Sequence, residues 1–543
     1  MKHLKETNPN TSRPRSQRLA LRAGLLTAMA ASLSCGRLAS SSSLSQVPNY
    51  SGSIVCNPSE VLEASNVSEI QAAVQRARSL GKQLTTISLE ASRSYSEAIC
   101  PEDGGILLKL APLNKILSVD PKSLSAVVEP GVIVGDLQES LNGIGLAFPV
   151  TPDYNGISVA GGMGAGAHNS SLRIPTAIGD WVQEVKVVDG RGETRVLTGD
   201  ELDAARVHLG LLGIIYEVKV KLVPQFKLRH GIDKFRDEDL AQLASTLVRR
   251  HDYAKINWFP GHDTFFVDSL DKVAMETPGQ SFNTFWTSTP DLPVFKELPI
   301  RILNSSKVIQ RAAEALRIKT WAAPFKAVDS PASAPVGLSH QMIGGTCQPG
   351  SCSWDRGVKS RTVEVAFPLS ELPRWVADVK EMIKRRPAYF PILGIYLRFS
   401  QASAAYLGQA SGEDTVFFEI HIPQTSDVKL EPSSEVYDEM VQMTLAKYQG
   451  RPHWGKNSRP YFAGLNAGHY PKWDSFVEIR RSLDPEDVFV NPFWKNANAT
   501  FESLRGPNCG LDRSCICAVD ADCGPGARCE AGALFTEARV CLK

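Results

Sequence analysis

Apolar positions change their spacing several times along the chain. From Val67 to Gly81 they fall three or four apart, at Ile70, Ala73, Val74 and Ala77, the spacing of one buried helical face with a glycine stop. LTTISL comes next as a strand, then the irregular ASRSYSEAIC. ILLKL and SAVVEPG read as strands joined through Asn114, and VIVGDLQESLNGIG reads as a helix ending on glycine. WVQEVKVVDGRGETRVL predicts a hairpin turning at Gly190 and Gly192, and LGLLGIIYEVKVKLV leads through Gly210 and Gly213 into an alternating strand. From about Gln225 the pattern changes. DEDLAQLASTLVRRH and ELPRWVADVKEMIKRR are amphipathic helices, while TVEVAFPL, ILGIYLRFS and TVFFEIHIP are strands. Their alternation predicts an α+β arrangement, an antiparallel sheet with covering helices. The proline-bounded segment Pro278 to Pro335 is expected to be irregular and peripheral, and no internal repeat is visible.

One stretch has neither period. Asn155 to Ser171 reads NGISVAGGMGAGAHNSS, with glycines at 156, 161, 162, 164 and 166 and no charged side chain. Glycine reaches positive φ freely and lets backbone approach a ligand closely, so the run is expected to be a loop whose N–H groups cradle a phosphate or pyrophosphate. Gly162, Gly164 and Ala167 fit G-x-G-x-x-G/A, with Asp189 about 20 residues on. The context is not that of a Rossmann motif: Pro149 and Pro152 precede the run, and Pro175 and Gly179 interrupt the helix that such a motif needs after it.

The 543 residues are enough for two or more domains, and a net charge of +1 without long single-sign runs excludes a nucleic-acid partner. No apolar run approaches the ~20 residues of a membrane span. Residues 1–45 carry Arg13, Arg15, Arg18 and Arg22, an apolar stretch from Ala23 to Leu33 and then small residues, the order of a secretory leader. A mitochondrial transit peptide or a lipoprotein site at Cys35 are the alternatives. Six of the eleven cysteines lie at 509, 515, 517, 523, 529 and 541, which predicts a disulfide-stapled module in an oxidising compartment. Zinc is disfavoured because that tail has no histidine. Cys56 and Cys100 are candidates to pair, Cys347 and Cys352 are near enough to close a small loop, and sequons at Asn66, Asn304 and Asn498 agree with secretion.

Together TPDYNGISVAGGMGAGAHNSSL, GDWVQEVKVVDGRG and LDAARVHLGLLGIIYEVKVKLVP resemble the second flavin-binding segment of the vanillyl-alcohol oxidase superfamily. GRPHWGKN at 450–457 resembles the His-Trp-x-Lys signature of aldonolactone oxidoreductases, and the cysteine-rich tail is similar to that of plant-type L-gulonolactone oxidases. The resemblance covers about residue 50 to the end. It implies a two-subdomain FAD-binding domain of the vanillyl-alcohol oxidase type, an antiparallel-sheet substrate (cap) domain and a C-terminal disulfide-rich module. The expected divisions are a leader at 1–45, the FAD-binding domain at 46–225, the cap at 226–450, a segment returning to the flavin at 451–504 and the module at 505–543. The implied reaction is FAD-dependent oxidation of an aldono-1,4-lactone, with hydride passing to flavin N5 and oxygen as acceptor. Oxidation of another sugar or sugar alcohol, and a catalytically weakened carbohydrate-binding relative, are the alternatives.

The resemblance also nominates residues. Relatives place a Glu-x-Arg pair where this chain has Tyr396-Leu397-Arg398, so Arg398 is retained near the reacting end and the glutamate is absent. Glu419, on the next strand, is a candidate replacement. Lys456 is a fixed cation for the charge that develops on reduced flavin, and His453 a candidate to orient the site or relay a proton. His168 is a candidate partner of flavin or ribose. For cofactor binding the expected set is Arg93, Ser94, Gly156, Gly161, Gly162, Gly164, Gly166, His168, Gly210, Gly213, Ile214 and Lys456. Arg93 stands where many relatives carry a histidine bonded covalently to flavin. It is a poor nucleophile, and either a phosphate ligand or a surface arginine. The expectation is non-covalent FAD and no metal.

Overall fold

Asn66 begins the first helix, Val67–Leu80: its side chain accepts from the Glu69 N–H at 3.0 Å, and Glu69 reaches back to Ser65 N at 2.7 Å. Gly81 ends it at φ 60°, as a left-handed cap. The buried face is Ile70, Ala73, Val74 and Ala77, the set its periodicity selects. This helix covers a parallel sheet of Glu60–Glu63, Ile106–Lys109 and Leu84–Ile87. Next to it in the chain is a five-stranded antiparallel sheet, in the order Thr194–Leu197, Val182–Val188, Ile214–Lys221, Ser125–Val128 and Ile116–Asp120. The expected hairpin is its first pair, tightened by Asp189, whose Oδ1 accepts from the N–H groups of Arg191 and Glu193.

This computed structural model describes residues 46–49, 54–283, 293–321, 325–330, 334–344, 360–425, 429–497, 507–511 and 513–543. The leader, Asn498 and the Cys347/Cys352 pair lie outside the described residues.

The glycine-bearing stretch differs from the expected continuous loop. Ser158 is extended and its Oγ accepts from Gly161 N at 3.2 Å, capping a short helix, Val159–Gly164. Val159 and Met163 are fully buried against the five-stranded sheet, and that packing outweighs the low helix propensity of glycine. The chain leaves this helix through Gly166 at φ 72°.

The second half is organised by an eight-stranded, wholly antiparallel sheet in the order Val336–Leu338, Lys227–Arg236, Thr264–Val273, Tyr253–Phe259, Ile395–Ser400, Thr415–Pro423, Ser360–Pro368 and Arg451–Pro452. Successive residues of a strand face opposite ways. Ile256, Trp258, Leu397, Phe399, Phe418, Ile420, Val363 and Val365 therefore form one apolar face. The helices Leu240–Arg249, Leu372–Arg385 and Ser434–Lys447 cover it with Leu247, Trp375, Val379, Met440 and Val441. Each such buried side chain contributes roughly 1.5–3 kcal/mol. The opposite face carries Lys255, Asn257, Tyr396, Arg398, Glu419, His421, Thr362 and Glu364, in register across four strands. The segment expected to be irregular between Pro278 and Pro335 contains two helices, Pro293–Leu303 and Lys307–Lys319. Ser306 caps the second, and of the prolines among the described residues Pro293 opens the first helix and Pro299 lies within it.

After Arg451–Pro452 the chain returns to the first half, where Trp454, Phe462, Tyr470, Trp473, Phe493 and Trp494 join its core. The tail closes three disulfides, Cys509–Cys515, Cys517–Cys529 and Cys523–Cys541, which leave none of those thiolates for zinc. Cys56 and Cys100 are also bonded. The tail sits on the helix Ser434–Lys447, where fully buried Glu439 accepts the N–H groups of Ala533, Leu534 and Phe535 at 2.7, 2.7 and 2.9 Å. No described helix is long and apolar enough to cross a membrane.

Candidate active site

The polar face of the cap sheet holds a dense group of charges. Arg398 donates through Nη2 to both oxygens of Glu364 at 2.7 Å and lies 2.6 Å from Glu419 Oε2. Lys456 Nζ bridges the same two carboxylates, at 2.6 Å from Glu419 Oε1 and in contact with Glu364 Oε2. Arg398, Glu364 and Glu419 are each at most 3% exposed. Two cations and two carboxylates thus neutralise one another where an unpaired charge would be strongly disfavoured. Burial opposes ionisation of Glu364, but Arg398 and Lys456 hold its pKa well below the carboxylate range. Burial would also lower the pKa of Arg398, and the carboxylates Glu364 and Glu419 raise it above the ordinary value.

Sequence reasoning missed Glu364. Its signal was present: in TVEVAFPL it is the charged residue in phase with Thr362 and Ala366, flanked by apolar Val363 and Val365. The strand pairs directly with Arg451–Pro452, which brings HWGKN alongside. His453 N and Asn457 Nδ2 donate to the Glu364 carbonyl at 3.0 and 2.7 Å, and Asn457 Oδ1 accepts from Glu364 N at 3.1 Å. The absent glutamate is also accounted for. Tyr396 takes its place and lies directly across from Glu419, so a carboxylate reaches Arg398 from the neighbouring strand.

The histidines have separate chemistries. His453 Nδ1 accepts from Gly455 N–H at 3.0 Å, which leaves its neutral ring a donor at Nε2. Burial and Lys456 keep its pKa well below the usual histidine value. Of the two roles expected for His453, orienting the site or relaying a proton, the engaged Nδ1 lone pair favours the first. At His168 both ring nitrogens face oxygens, Asn169 O at 2.7 Å and Glu364 Oε1 at 2.8 Å. Full satisfaction requires the doubly protonated ring, whereas burial and Arg398 lower its pKa. His421, which sequence reasoning did not single out, comes two residues after Glu419 on the same face, with Nε2 3.4 Å from Glu419 Oε1. Burial lowers its pKa and favours the neutral ring. Although His168, Glu364 and His453 bring ligand atoms within 4.8 Å of one another, a divalent cation there would confront Arg398 and Lys456.

This charged face closes one end of a cavity that opens to solvent. Arg93, Ser94, Gly161, Gly162, Gly164, His168, Gly210, Gly213, Arg398, Glu419, His453 and Lys456 all line it. Three expected residues do not. A Cβ on Gly156 would lie 2.3 Å from Tyr154 Oη, and one on Gly166 2.5 Å from Gln409 Oε1, so these glycines serve local packing. Ile214 points into the core with Val188, and its neighbour Ile215 lines the cavity in its place. Gly161 and Gly164 allow close approach as well: added Cβ atoms would meet Ser158 Oγ at 2.8 Å and His208 Nε2 at 2.7 Å. The lining also includes Ser88, Ser92, Arg93, Ser94 and Ser158, and the carboxylates among the described lining residues, Asp153 and Glu419, are both paired with cations of the cap sheet. A phosphate-bearing dinucleotide fits such a wall, rich in hydroxyl and N–H donors and free of repelling anions. Tyr95 N donates to Gly455 O at 2.8 Å, joining this loop to the HWGKN segment.

A family model described as "D-arabinono-1,4-lactone oxidase" matches residues 218–497, just over half of the chain. The chain belongs to the D-arabinono-1,4-lactone oxidase family. Models of an FAD binding domain and of the "L-gulonolactone oxidase 2-like, C-terminal domain" match 58–198 and 506–543. The family member described here is therefore an FAD-dependent oxidase, with its cofactor held non-covalently and Arg93 in the cavity lining. It is 28% identical over 532 residues to "Probable L-gulonolactone oxidase 1" of Arabidopsis thaliana, covering 90% of this chain and 88% of that one. It is 25% identical over 452 residues to "L-gulono-1,4-lactone dehydrogenase" of Mycobacterium tuberculosis, covering 82% and 97%. Among solved structures, "Solvent-stable cholesterol oxidase" superposes with a TM-score of 0.64 at 13% identity, over 84% of this chain and 97% of that one. The cholesterol oxidase of B. sterolicum gives 0.62 at 13%, over 83% and 96%. These two establish a shared fold.

Proposed function

We propose that the chain oxidises an aldono-1,4-lactone of the L-gulono-1,4-lactone type, with oxygen as acceptor, and that it does so after secretion. The observation that carries this reading is the buried Arg398–Glu364–Lys456–Glu419 group closing the end of a cavity shared with the FAD-binding half. Bound FAD supplies the hydride acceptor. Ser88, Arg93, Ser94 and the backbone around Gly161 would hold it. His421 accepts the proton of the substrate hydroxyl, because its ring is neutral and lines the cavity. Glu419 beside it stabilises the resulting imidazolium. Arg398 and Lys456 present positive potential to the oxygen that loses the proton, and His453 donates from Nε2 to orient it. Secretion is supported by the bonded cysteines of the tail and by Cys56–Cys100.

The test is purified holoprotein offered a panel of aldonolactones and alditols under air, scored for peroxide, and without air, scored for bleaching of the flavin. Turnover of a lactone with stoichiometric peroxide supports the reading. Alditol turnover with inert lactones overturns it. Since the pKa of His421 is lowered, kcat/KM should fall only as pH drops through that lowered value, and His421→Gln should abolish this acid limb.

A further inference from the structure

The mechanism leaves one cavity-facing carboxylate unused. Asp153 stands in the Pro152–Tyr154 segment, just ahead of the capped glycine helix, and all three of those residues line the cavity. Its carboxylate is clamped from behind by two cap-sheet side chains: Tyr396 Oη donates to Oδ2 at 2.7 Å, and Lys255 Nζ lies 3.1 Å from Oδ1. The Tyr396 ring is flanked by Lys255 Nζ at 5.4 Å and Arg398 Cζ at 5.5 Å from its centroid. It is 2% exposed, whereas the Asp153 side chain is 30% exposed. Burial disfavours the charge of Asp153, but Lys255 and Arg398 hold its pKa below the ordinary aspartate value.

We propose that Asp153 is a specificity-determining residue that accepts hydrogen bonds from ring or side-chain hydroxyls of the substrate, with Tyr396 and Lys255 as its positioning residues. This rests on the lactone-oxidase reading and adds to it the part of the substrate that is selected. The position two before Arg398 holds a phenol, and the phenol reaches across to a carboxylate supplied by the other half of the molecule. A polyhydroxylated, uncharged substrate presents several O–H donors, and a fixed anion at a cavity wall discriminates for them more sharply than apolar contact does. Both carboxylate oxygens are restrained, so the acceptor is preorganised rather than gathered on binding.

The experiment compares wild type, Asp153→Asn, Tyr396→Phe and Lys255→Met as holoenzymes, with bound-flavin content and thermal unfolding measured first. Substrates are L-gulono-1,4-lactone and α-hydroxy-γ-butyrolactone, which keeps the oxidisable hydroxyl and lacks the others. Asp153→Asn should raise KM for the gulonolactone about 10- to 100-fold with a smaller change in kcat, and leave the KM for the butyrolactone within about twofold. Tyr396→Phe should show the same preference in weaker form, which keeps the proposal testable if Asp153→Asn folds poorly. Equal losses on both substrates, or no loss on either, overturn the subsite. A wild type inert toward lactones fails the lactone reading instead. The subsite is then decided by perturbation of the flavin absorbance on adding the two lactones as ligands, where loss of gulonolactone binding in Asp153→Asn upholds it and unchanged binding overturns it.

Discussion

The two ends of one cavity are built on opposite principles. At the FAD-binding end side chains are withdrawn: Gly161, Gly162, Gly164, Gly210 and Gly213 line the wall. At the cap end ionisable side chains are crowded, with Arg398, Glu364, Glu419 and Lys456 in mutual contact. The first end should be sensitive to added volume and indifferent to charge, and the second the reverse.

The largest effect is expected from Glu364→Ala, which leaves Arg398 and Lys456 to share the single carboxylate of Glu419 and buries an uncompensated positive charge. Stability should fall by about 3–5 kcal/mol, read as a lowered Tm of the holoprotein. An unchanged Tm would break the comparison at its charged end. Arg398→Ala belongs to the same class, because it leaves two buried carboxylates facing each other. Lys456 is less buried, with a side chain 19% exposed, so Lys456→Ala should keep the fold and slow anaerobic flavin reduction about 10²-fold. Stopped-flow reduction at the wild-type rate removes Lys456 from the mechanism.

At the glycine end, Gly164→Ala forces a Cβ to 2.7 Å from His208 Nε2, and should weaken flavin retention about tenfold while sparing the cap. Gly210→Ala sharpens this. Gly210 has φ 76° and no protein atom within 4 Å of an added Cβ, so backbone strain of about 1–2 kcal/mol is the cost within the chain itself, and any flavin loss beyond it reads volume added at the cavity wall. The smallest effect concerns the flavin bond. Acid precipitation of the wild type should release the yellow colour into the supernatant, and colour retained in the pellet would place a covalent link in the loop holding Arg93.

The same contrast explains which features were legible in the sequence. The first helix announced itself through Asn66, its four buried apolar positions and Gly81, since capping and periodicity are local properties. Arg398, Lys456 and Glu419 were reached through motif resemblance and neighbouring strands. Glu364 and His421 were not, although each sits in an alternating strand that displays it. What brings them to the site is register, with Glu364 and Tyr396 both opposite Glu419 and His421 opposite Thr362, and register depends on pairing between segments far apart in the chain. Ile214 was misplaced for the same reason. In a strand the choice between two adjacent residues is a choice of face, and composition alone does not make it. The helices between Pro278 and Pro335 escaped notice because proline density was read as breakage, whereas Pro293 opens a helix.

The contact between Glu439 and the tail gives the end of the chain a structural role in the cap. The three amides that satisfy this carboxylate come 94 to 96 residues later in the chain. The helix that backs the Arg398 and Glu419 strands thus depends on the last residues of the chain for the donors of its buried acid. A chain cut before Ala533 would leave Glu439 facing water at the rear of the cap, behind the sheet whose charged face lies on the other side.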